Sequence, residues 1–294
     1  MRQIMVVMKE RTAQEGLSVE LEDAVRAVSV VRFDRGSAAE SQDAVACEEP
    51  LEIQLAGVPL AVVMRTPGDD DELALGFLIT ERVIESLDEL LSLRHCSVAP
   101  DPEAEGNVMR ALLRPGVRVD LEALRRNLYA SSSCGICGKA TIENALRRAK
   151  PLDDSARFSR SFFARLMERM RLAQSAFERT GGIHAAALVS PEGALLVVRE
   201  DVGRHNAVDK VVGWAARQGR IPLAGHALLV SGRISYEIVQ KALAARIPLV
   251  AAVSAPTSLA VRLAEQAGLG LVGFLRGPGF NVYGRRERVW EDGV

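Results

Sequence analysis

The sequence predicts a protein of the α/β class, with α+β character overall: a smaller N-terminal mixed β/α domain, then a domain built on a mostly parallel sheet. In the last third, short apolar runs at 227–230, 248–253 and 271–275 alternate with helical patterns. Continuous apolar strands between helices are typical of a parallel sheet covered on both faces. Earlier, residues 51–55 alternate apolar and polar side chains, which indicates a half-buried strand. A length of 294 residues suffices for two domains.

The elements of the first half follow from period-two patterns and one acidic helix start. A turn at 56–57 separates two strands that we expect to pair. Acidic residues at 69–72 fit the positive end of a helix dipole and predict a helix through residue 79. The segment 97–105 is predicted to be a loop. The predicted strands cover 28–33, 51–55, 58–64 and 107–115.

The second half is predicted to begin with helices and to continue as alternating strands and helices. Thr141 can cap the first helix. Apolar residues at helical spacing predict one long amphipathic helix near 161–178, packed on the core. The predicted helices cover 142–148, 161–178, 206–217, 236–245 and 258–267. The predicted strands cover 185–189, 194–199, 227–230, 248–253 and 271–275.

These elements divide the chain into four parts. We predict an N-terminal extension at 1–27, an α+β domain at 28–130, a cysteine loop at 131–140 and an α/β domain at 141–294. The first ten residues hold an apolar run too short for a signal peptide, and no run approaches the ~18 residues of a membrane span. A cytoplasmic protein is therefore expected.

Composition excludes some partner classes. Hydrophobic residues make up 48% of the chain and charged residues 26%, with a formal net charge of -1. This balance is ordinary for a globular protein and gives no long-range attraction to nucleic acid or an anionic membrane. Neither is expected as a partner, and an anionic ligand would have to be held by local geometry.

Three segments follow predicted strands and should meet at one edge of the sheet, where open α/β sheets bind ligands. They are 231–235, 254–258 and 276–281. Two of them run into helices, whose free N–H groups suit phosphate, and arginine side chains could add paired donors. Each segment alone could be only a turn and helix cap, but together they favour a nucleotide-like anion. The polar candidates are Ser231, Arg233, Ser254, Thr257 and Arg276.

Two of the four cysteines, Cys134 and Cys137, lie in the run SSSCGICGK at 131–139. Serine and glycine predict an exposed loop, on which thiols are placed to react. Structural zinc needs four ligands; even with His184 no fourth is evident, so no structural metal is expected. The C-x-x-C spacing permits thiol–disulfide exchange. Lys139 and the following helix start also favour a thiolate that could carry a persulfide. The residues alone leave these two chemistries open.

The chain resembles the FdhD family, the accessory sulfurtransferases of formate dehydrogenase, from about residue 28 to residue 284. The resemblance rests on many long motifs in the same order. These are EPLEI at 49–53, MRTPGDD at 64–70, ELALGFL at 72–78, SSSCGICGK at 131–139, GGIHAA at 181–186, REDVGRHNAVDK at 199–210, SGR at 231–233 and GFLRGPGFNVY at 273–283.

The resemblance implies a sulfur carrier and sulfurtransferase. Such proteins accept persulfide sulfur from a cysteine desulfurase and transfer it to the molybdenum bis-guanine-dinucleotide cofactor, a bound substrate that formate dehydrogenase needs. It implies that Cys134 carries the persulfide and Cys137 assists. It also implies a cofactor-binding stretch of Phe274, Leu275, Arg276, Gly277, Pro278 and Gly279.

The resemblance further implies that the second domain is a three-layer fold like that of cytidine deaminase, without the deaminase metal ligands. It also implies that the protein is a homodimer with formate dehydrogenase as its client.

Two rival functions remain. One is a thiol–disulfide oxidoreductase. The other is a non-catalytic chaperone for cofactor insertion, which would need the strand-edge site but not the thiols.

A few further polar residues have two interpretations. His184 could be catalytic or could end a turn and pack on the sheet. Arg204, His205 and Asp209 could orient the site loops or contact the guanine dinucleotide, or they could form a hydrogen-bonded cluster that starts a helix. The acidic run 69–72 resembles a cation site, but a solvated helix start is the preferred interpretation.

Overall fold

In the described residues, the N-terminal part of the chain forms a hairpin, a four-stranded sheet and a buried helix at 70–80. The computed structural model describes residues 22–96, 106–119, 150–277 and 279–292. Its N-terminal elements are β1 (Val25–Asp34), β2 (Ser37–Ala46), β3 (Glu49–Leu55), β4 (Val58–Arg65), α1 (Asp70–Thr80), β5 (Leu90–His95) and β6 (Val108–Leu113). β1 pairs antiparallel with β2. The second sheet has the order β4-β3-β6-β5, in which β3 and β6 are parallel and the other neighbours antiparallel.

In the described residues, the C-terminal part holds five helices and a six-stranded sheet. Its helices are α2 (Leu166–Leu172), α3 (Ser175–Thr180), α4 (Arg204–Arg217), α5 (Tyr236–Ala244) and α6 (Ser258–Ala267). Its strands are β7 (Phe158–Ser159), β8 (His184–Val189), β9 (Leu195–Asp201), β10 (Ala227–Val230), β11 (Leu249–Ala252), β12 (Gly270–Arg276), β13 (Gly279–Gly284) and β14 (Val289–Trp290). Among the described residues of the whole chain, short 3-10 helices lie at Leu87–Glu89, Arg160–Phe163 and Arg286–Arg288.

A mixed α/β fold is therefore confirmed, but the prediction of a mostly parallel sheet is wrong. The six strands run β13-β12-β11-β10-β8-β9, and only the β10–β11 and β11–β12 pairs are parallel. The pairs β8–β9, β8–β10 and β12–β13 are antiparallel. The connections after β8 and after β12 are only a few residues long, and such short connections reverse the chain into hairpins, whereas parallel neighbours need long crossovers.

Both faces of the six-stranded sheet are buried, as the apolar strands predict. In β10, Leu228 and Val230 join the core that contains α1, α4, α5 and α6. Ala227 and Leu229 face the opposite core, which includes Phe163 of the 3-10 segment and residues of α2. All four β10 residues are buried, so the run reads as continuously hydrophobic because each face of the pleat has its own cover.

The predicted helix at 161–178 is wrong as one element. The structure has a 3-10 turn, then α2, then α3. Ala164 leaves the helical conformation with a ψ of 127°, and Arg165 has a left-handed φ of 61°, so the first turn ends there. The Glu200 carboxylate accepts hydrogen bonds from the N–H groups of Ala176 and Phe177 at 2.9 and 2.8 Å and so starts α3 separately. This carboxylate comes from β9, so a local helical pattern could not reveal the break.

Helices α1 and α4 cross at very short range and join the two halves of the molecule. Nearly all of α1 is buried, and its side chains belong to a core that continues from β3 through α4 to the six-stranded sheet. A Cβ on Gly76 would lie 1.8 Å from the Asp209 carbonyl oxygen, and one on Gly213 would lie 1.8 Å from the Glu72 carbonyl oxygen. Only glycine therefore fits at either position.

A buried polar cluster also connects the two halves. Asp201, at the end of β9, is fully buried. Its carboxylate accepts hydrogen bonds from the backbone N–H groups of Thr66 and Gly203 and from the Asn206 amide, at 3.2, 2.8 and 2.9 Å. It also pairs with the Lys210 ammonium at 2.8 Å. The two motifs at 64–70 and 199–210 thus meet across the molecule and act structurally.

The acidic run at 69–72 is neither a cation site nor a solvated helix start. Asp70 accepts two hydrogen bonds of 2.9 Å from Arg65. Glu72 and Asp69 both contact Arg199, at 2.7 and 3.1 Å. Asp71 pairs with Arg217. Each carboxylate therefore contacts an arginine, with Asp69 and Glu72 sharing Arg199.

Some predictions fall elsewhere in the chain. Three predicted elements lie outside the described residues: the loop at 97–105, the cysteine loop and the helix at 142–148. The domain boundaries at 130 and 140 therefore stay predictions. β2 and β5 were not predicted, because most of their side chains are at least partly exposed. None of the helices described here is long and apolar enough to cross a membrane.

Candidate functional site

Three loops meet at the carboxyl edge of the parallel strands β10, β11 and β12, as the sequence predicts. The Thr257 N–H donates to the Ile234 carbonyl oxygen at 3.0 Å, and the Ile234 N–H donates to the Ala255 carbonyl oxygen at 3.2 Å. The Phe274 N–H donates to the Ser254 carbonyl oxygen at 3.2 Å. The segments after β10 and β11 and the bulged end of β12 therefore form one hydrogen-bonded platform.

A cavity of about 620 Å³ opens beside this platform. One wall comes from the sheet edge and includes Ser231, Leu275 and Arg276. The opposite wall comes from the segment that holds α2 and α3, and the turn at 181–183 lies between them. A volume of this size is within the range of ~300–1,000 Å³ that is usual for sites of small molecules and cofactors.

The charges around the cavity favour an anion. Arg276 reaches the rim, and its Nε donates to the Val253 carbonyl oxygen at 3.2 Å. The Arg171 guanidinium lies 4.5 Å from the centre of the Phe177 ring and 2.9 Å from Glu178. Glu168, the acidic residue in the lining, is paired with Arg165 at 2.8 Å. Arg276 therefore presents a positive charge that no carboxylate of the lining neutralises.

His184 begins β8 and lies on the cavity wall next to Ser231. The Ser231 hydroxyl accepts a hydrogen bond from the Ala185 N–H at 2.9 Å and lies 3.5 Å from His184 Nδ1. Burial, helped by the positive charge of Arg204, lowers the pKa of His184 below its ordinary value. The imidazole is therefore neutral at physiological pH and can both donate and accept a hydrogen bond.

The other predicted binding residues lie on the same edge but outside the cavity lining. Arg233 and Gly277 are exposed, and Ser254 is half-buried. The Thr257 hydroxyl accepts a hydrogen bond from the Ala260 N–H at 3.4 Å and caps α6, which is the purely structural interpretation. Gly279 borders a separate cleft beside Trp290. Cys134, Cys137 and Pro278 lie outside the described residues.

Phe274 is held in an unusual conformation at this edge. Its φ of 55° is in the left-handed region, which an aromatic residue seldom adopts. A bulge between Gly273 and Arg276 creates this conformation, and a Cβ on Gly273 would lie 2.9 Å from Pro256. As a result, Phe274 is 41% exposed beside the loops. Strained residues of this kind cluster at functional sites.

In the segment 204–209, two residues support a loop of the site and one belongs to a buried polar cluster, so each of the two interpretations fits a part of the segment. Arg204 packs beside Gly232, and the His205 ring lies 3.5 Å from the Ser235 hydroxyl, so both support the loop after β10. Asp209 is buried away from that loop, where it pairs with Lys241 at 2.9 Å and accepts a hydrogen bond from Thr80 at 2.7 Å.

Comparison with known proteins identifies the family. The model of the FdhD/NarQ family matches residues 46–290. A protein of Streptomyces avermitilis named sulfur carrier protein FdhD is 50% identical over 88% of this chain and 94% of its own length. The protein of that name in Mycobacterium bovis is 48% identical over 84% of this chain and 92% of its own.

The chain belongs to the FdhD/NarQ family. The fold agrees with a crystal structure from Desulfotalea psychrophila, whose provisional description is formate dehydrogenase accessory protein. That structure has a TM-score of 0.71 and 24% identity, and the match covers 91% of this chain and all of the other.

In this FdhD/NarQ protein, the second wall of the cavity is not predicted by the sequence. Met167, Arg171, Gln174 and Phe177 line it, although the sequence assigns them to one core helix. The glycine pair at 181–182 was the available signal, because it ends α3 and turns the chain directly into β8.

His205 is expected to make the stability of the FdhD/NarQ protein depend on pH. Burial, helped by Arg204 and Lys241, lowers its pKa to about 4, whereas an unfolded histidine titrates near 6.5. Acid therefore protonates the unfolded chain first, so stability present above pH 6.5 is lost as the pH falls toward 4. Because 33% of the side chain is exposed, solvent screens its charge, and the expected loss of unfolding free energy is about 1 kcal/mol between pH 7.5 and pH 5.

Urea unfolding at the two pH values measures this difference. The variant His205→Gln has no titrating ring and should lose about 1 kcal/mol less over the same interval. His226→Gln is the matched control. An equal pH dependence in the parent protein and in His205→Gln would contradict the assignment.

Proposed function

We propose that this protein is a sulfur carrier and sulfurtransferase. It would accept persulfide sulfur from a cysteine desulfurase and transfer it to the molybdenum bis-guanine-dinucleotide cofactor that formate dehydrogenase needs. The observation that carries the proposal is about 50% identity, over most of the chain, to proteins named sulfur carrier protein FdhD. The cavity beside an anion-favouring sheet edge supports it.

The first step is a thiolate exchange at Cys134. The Cys134 thiolate attacks the outer sulfur of the desulfurase persulfide. A new S–S bond forms on Cys134, the S–S bond of the donor breaks, and the donor cysteine leaves as its thiolate. No net oxidation occurs, because one persulfide replaces another.

The second step needs two electrons, and Cys137 can supply them together with Cys134. The Cys137 thiolate attacks the inner sulfur of the Cys134 persulfide. A Cys134–Cys137 disulfide forms, and the outer sulfur leaves as hydrosulfide, the oxidation level of a sulfur ligand on the metal. A cellular dithiol must then reduce the disulfide before the next cycle. The two-residue spacing of the pair suits this closure.

The sheet edge would hold the nucleotide part of the bound substrate. Arg276 and Ser231 lie in the cavity lining, and Phe274 presents an exposed ring beside them. We propose phosphate contacts for Arg276 and Arg233, with Ser231, Ser254 and Thr257 forming the supporting loops. Leu275, Gly277, Pro278 and Gly279 complete the stretch that the family resemblance assigns to the cofactor.

Further parts of the proposal concern organisation. The proposed partners are the desulfurase, formate dehydrogenase as the client, and a second copy of the chain in a homodimer. The proposed location is the cytoplasm. The likeness of residues 141–294 to the cytidine deaminase fold also belongs to the proposal. It is supported by the helices α4, α5 and α6 that share a core with the central strands.

Cys134→Ala is expected to remove sulfur transfer while leaving the protein folded. After incubation with a cysteine desulfurase and L-cysteine, intact-mass measurement should show a sulfur atom added to the parent protein and none to the variant. Formate dehydrogenase made in cells with the variant should lose at least about 99% of its activity, since the nucleophile is gone.

Cys96→Ala is the matched control, because Cys96 is a partly exposed cysteine elsewhere in the chain. It should retain sulfur loading and activity. Full activity of Cys134→Ala would instead indicate a non-catalytic chaperone. A reversible disulfide without any sulfur-dependent mass gain would indicate a thiol–disulfide oxidoreductase.

A further inference from the structure

Gln174 is a buried polar side chain without a protein partner. It lies between α2 and α3, is only 4% exposed, and lines the 620 Å³ cavity. Its backbone groups are bonded, since its N–H donates to the Arg171 carbonyl oxygen and its own carbonyl oxygen accepts from Glu178. Within the described ranges, however, its side-chain amide makes no hydrogen bond to protein. The amide atoms are not among the fully buried polar atoms that lack a partner, so they are open to the cavity and available to a ligand.

The surroundings of Gln174 suit a flat ring. Met167, Phe177, Val253 and Leu275 give the cavity largely apolar walls. Arg171, whose guanidinium is stacked on Phe177 and paired with Glu178, adds a planar face with its charge already compensated. Mostly apolar walls with a few polar groups are typical of sites that bind heterocycles.

Charge is distributed unevenly over the cavity. Arg276 stands exposed at the mouth, whereas the groups beside Gln174 are apolar or neutralised. A ligand with an anionic end and a neutral ring would therefore place its anion near Arg276 and its ring toward Gln174.

We infer that Gln174 is a specificity-determining residue that binds the base of a guanine nucleotide. The amide N–H donates to O6 of the base, and the amide oxygen accepts from N1–H. This inference rests on the proposed function, which puts a guanine dinucleotide at this edge. It adds a base subsite on the α2–α3 wall, a part of the chain that the predicted binding stretch does not include.

The test is calorimetric titration of the full chain with GDP. Gln174→Leu leaves the polar edge of the base unpaired and is expected to weaken GDP binding at least tenfold. Because the change breaks no hydrogen bond to the described protein and places an apolar side chain beside apolar walls, its melting temperature should be equal to or higher than that of the parent. Gln240→Leu, at an exposed position on α5, is the matched control and should bind GDP as the parent does.

Gln174→Glu gives a readout that a structural role would not change. Its carboxylate only accepts hydrogen bonds, so it can pair with both N1–H and the exocyclic amine of guanine. The ratio of GDP to IDP affinity is expected to rise about tenfold over the parent, because IDP lacks that amine.

The outcomes separate the inference from the proposed function. If the parent binds GDP and Gln174→Leu binds it within twofold, the base subsite is wrong and the nucleotide site of the proposed function stands. A lower melting temperature of Gln174→Leu with unchanged binding would show a structural amide and also overturn the inference. If the parent does not bind GDP, the inference and the proposed nucleotide site both fail.

Discussion

Gly213→Ala is expected to destabilise the protein by more than about 3 kcal/mol, or to prevent its folding. In an ordinary helix this change would be stabilising by about 1 kcal/mol. Here the new methyl group would lie 1.8 Å from the Glu72 carbonyl oxygen. That oxygen belongs to the backbone of the buried helix α1, so no side-chain rotation can relieve the clash. Either α1 and α4 must separate, or the core between the two sheets must open.

Urea unfolding and soluble yield measure the effect. Gly76→Ala should behave in the same way, because its methyl group would meet the Asp209 carbonyl oxygen. Gly182→Ala is the matched control, since the nearest non-neighbouring atom to its Cβ would be 3.8 Å away. If Gly213→Ala unfolded within about 1 kcal/mol of the parent, the two helices would be less closely packed than described.

The sequence revealed the fold best where a pattern has one physical cause. The strand at 227–230 is predictable because every residue in it is apolar. The residues are apolar because both faces of the strand are buried. Strand direction has no such signature. The antiparallel pairing of β8 with β10 depends on how the chain returns across the sheet. The apolar residues of these two strands give no information about that direction.

The same distinction holds at the site. The sequence predicts that the loops after β10, β11 and β12 meet, because parallel strands have their carboxyl ends at the same edge of a sheet. The α2–α3 wall is not predicted by the sequence, since Glu200 accepts a hydrogen bond from the Ala176 N–H group, 24 residues away, and so starts α3 as a separate helix. Likewise Asp201 and Thr66 are 135 residues apart, so neither motif reveals that its polar residues serve a structural cluster.

Asp201→Ala is expected to cost about 3–5 kcal/mol of the free energy of unfolding. The carboxylate is fully buried and balances the Lys210 ammonium, itself only 1% exposed. Removing it leaves a positive charge in the interior, because the other contacts of that ammonium are to the carbonyl oxygens of Thr66 and Glu200. The N–H groups of Thr66 and Gly203 also lose their acceptor.

Coupling between the two charges makes this test specific. The double variant Asp201→Ala, Lys210→Met removes the unpaired charge, so it should be less destabilised than the sum of the two single variants. Asp153→Ala, at an exposed position, is the control and should change stability by less than about 0.5 kcal/mol. Strictly additive single variants, or a cost for Asp201→Ala below about 1 kcal/mol, would contradict the ion pair.

Because Asp201 pairs in register with His184 across β8 and β9, the loss of the Asp201 carboxylate should also disturb the cavity wall and lower nucleotide affinity.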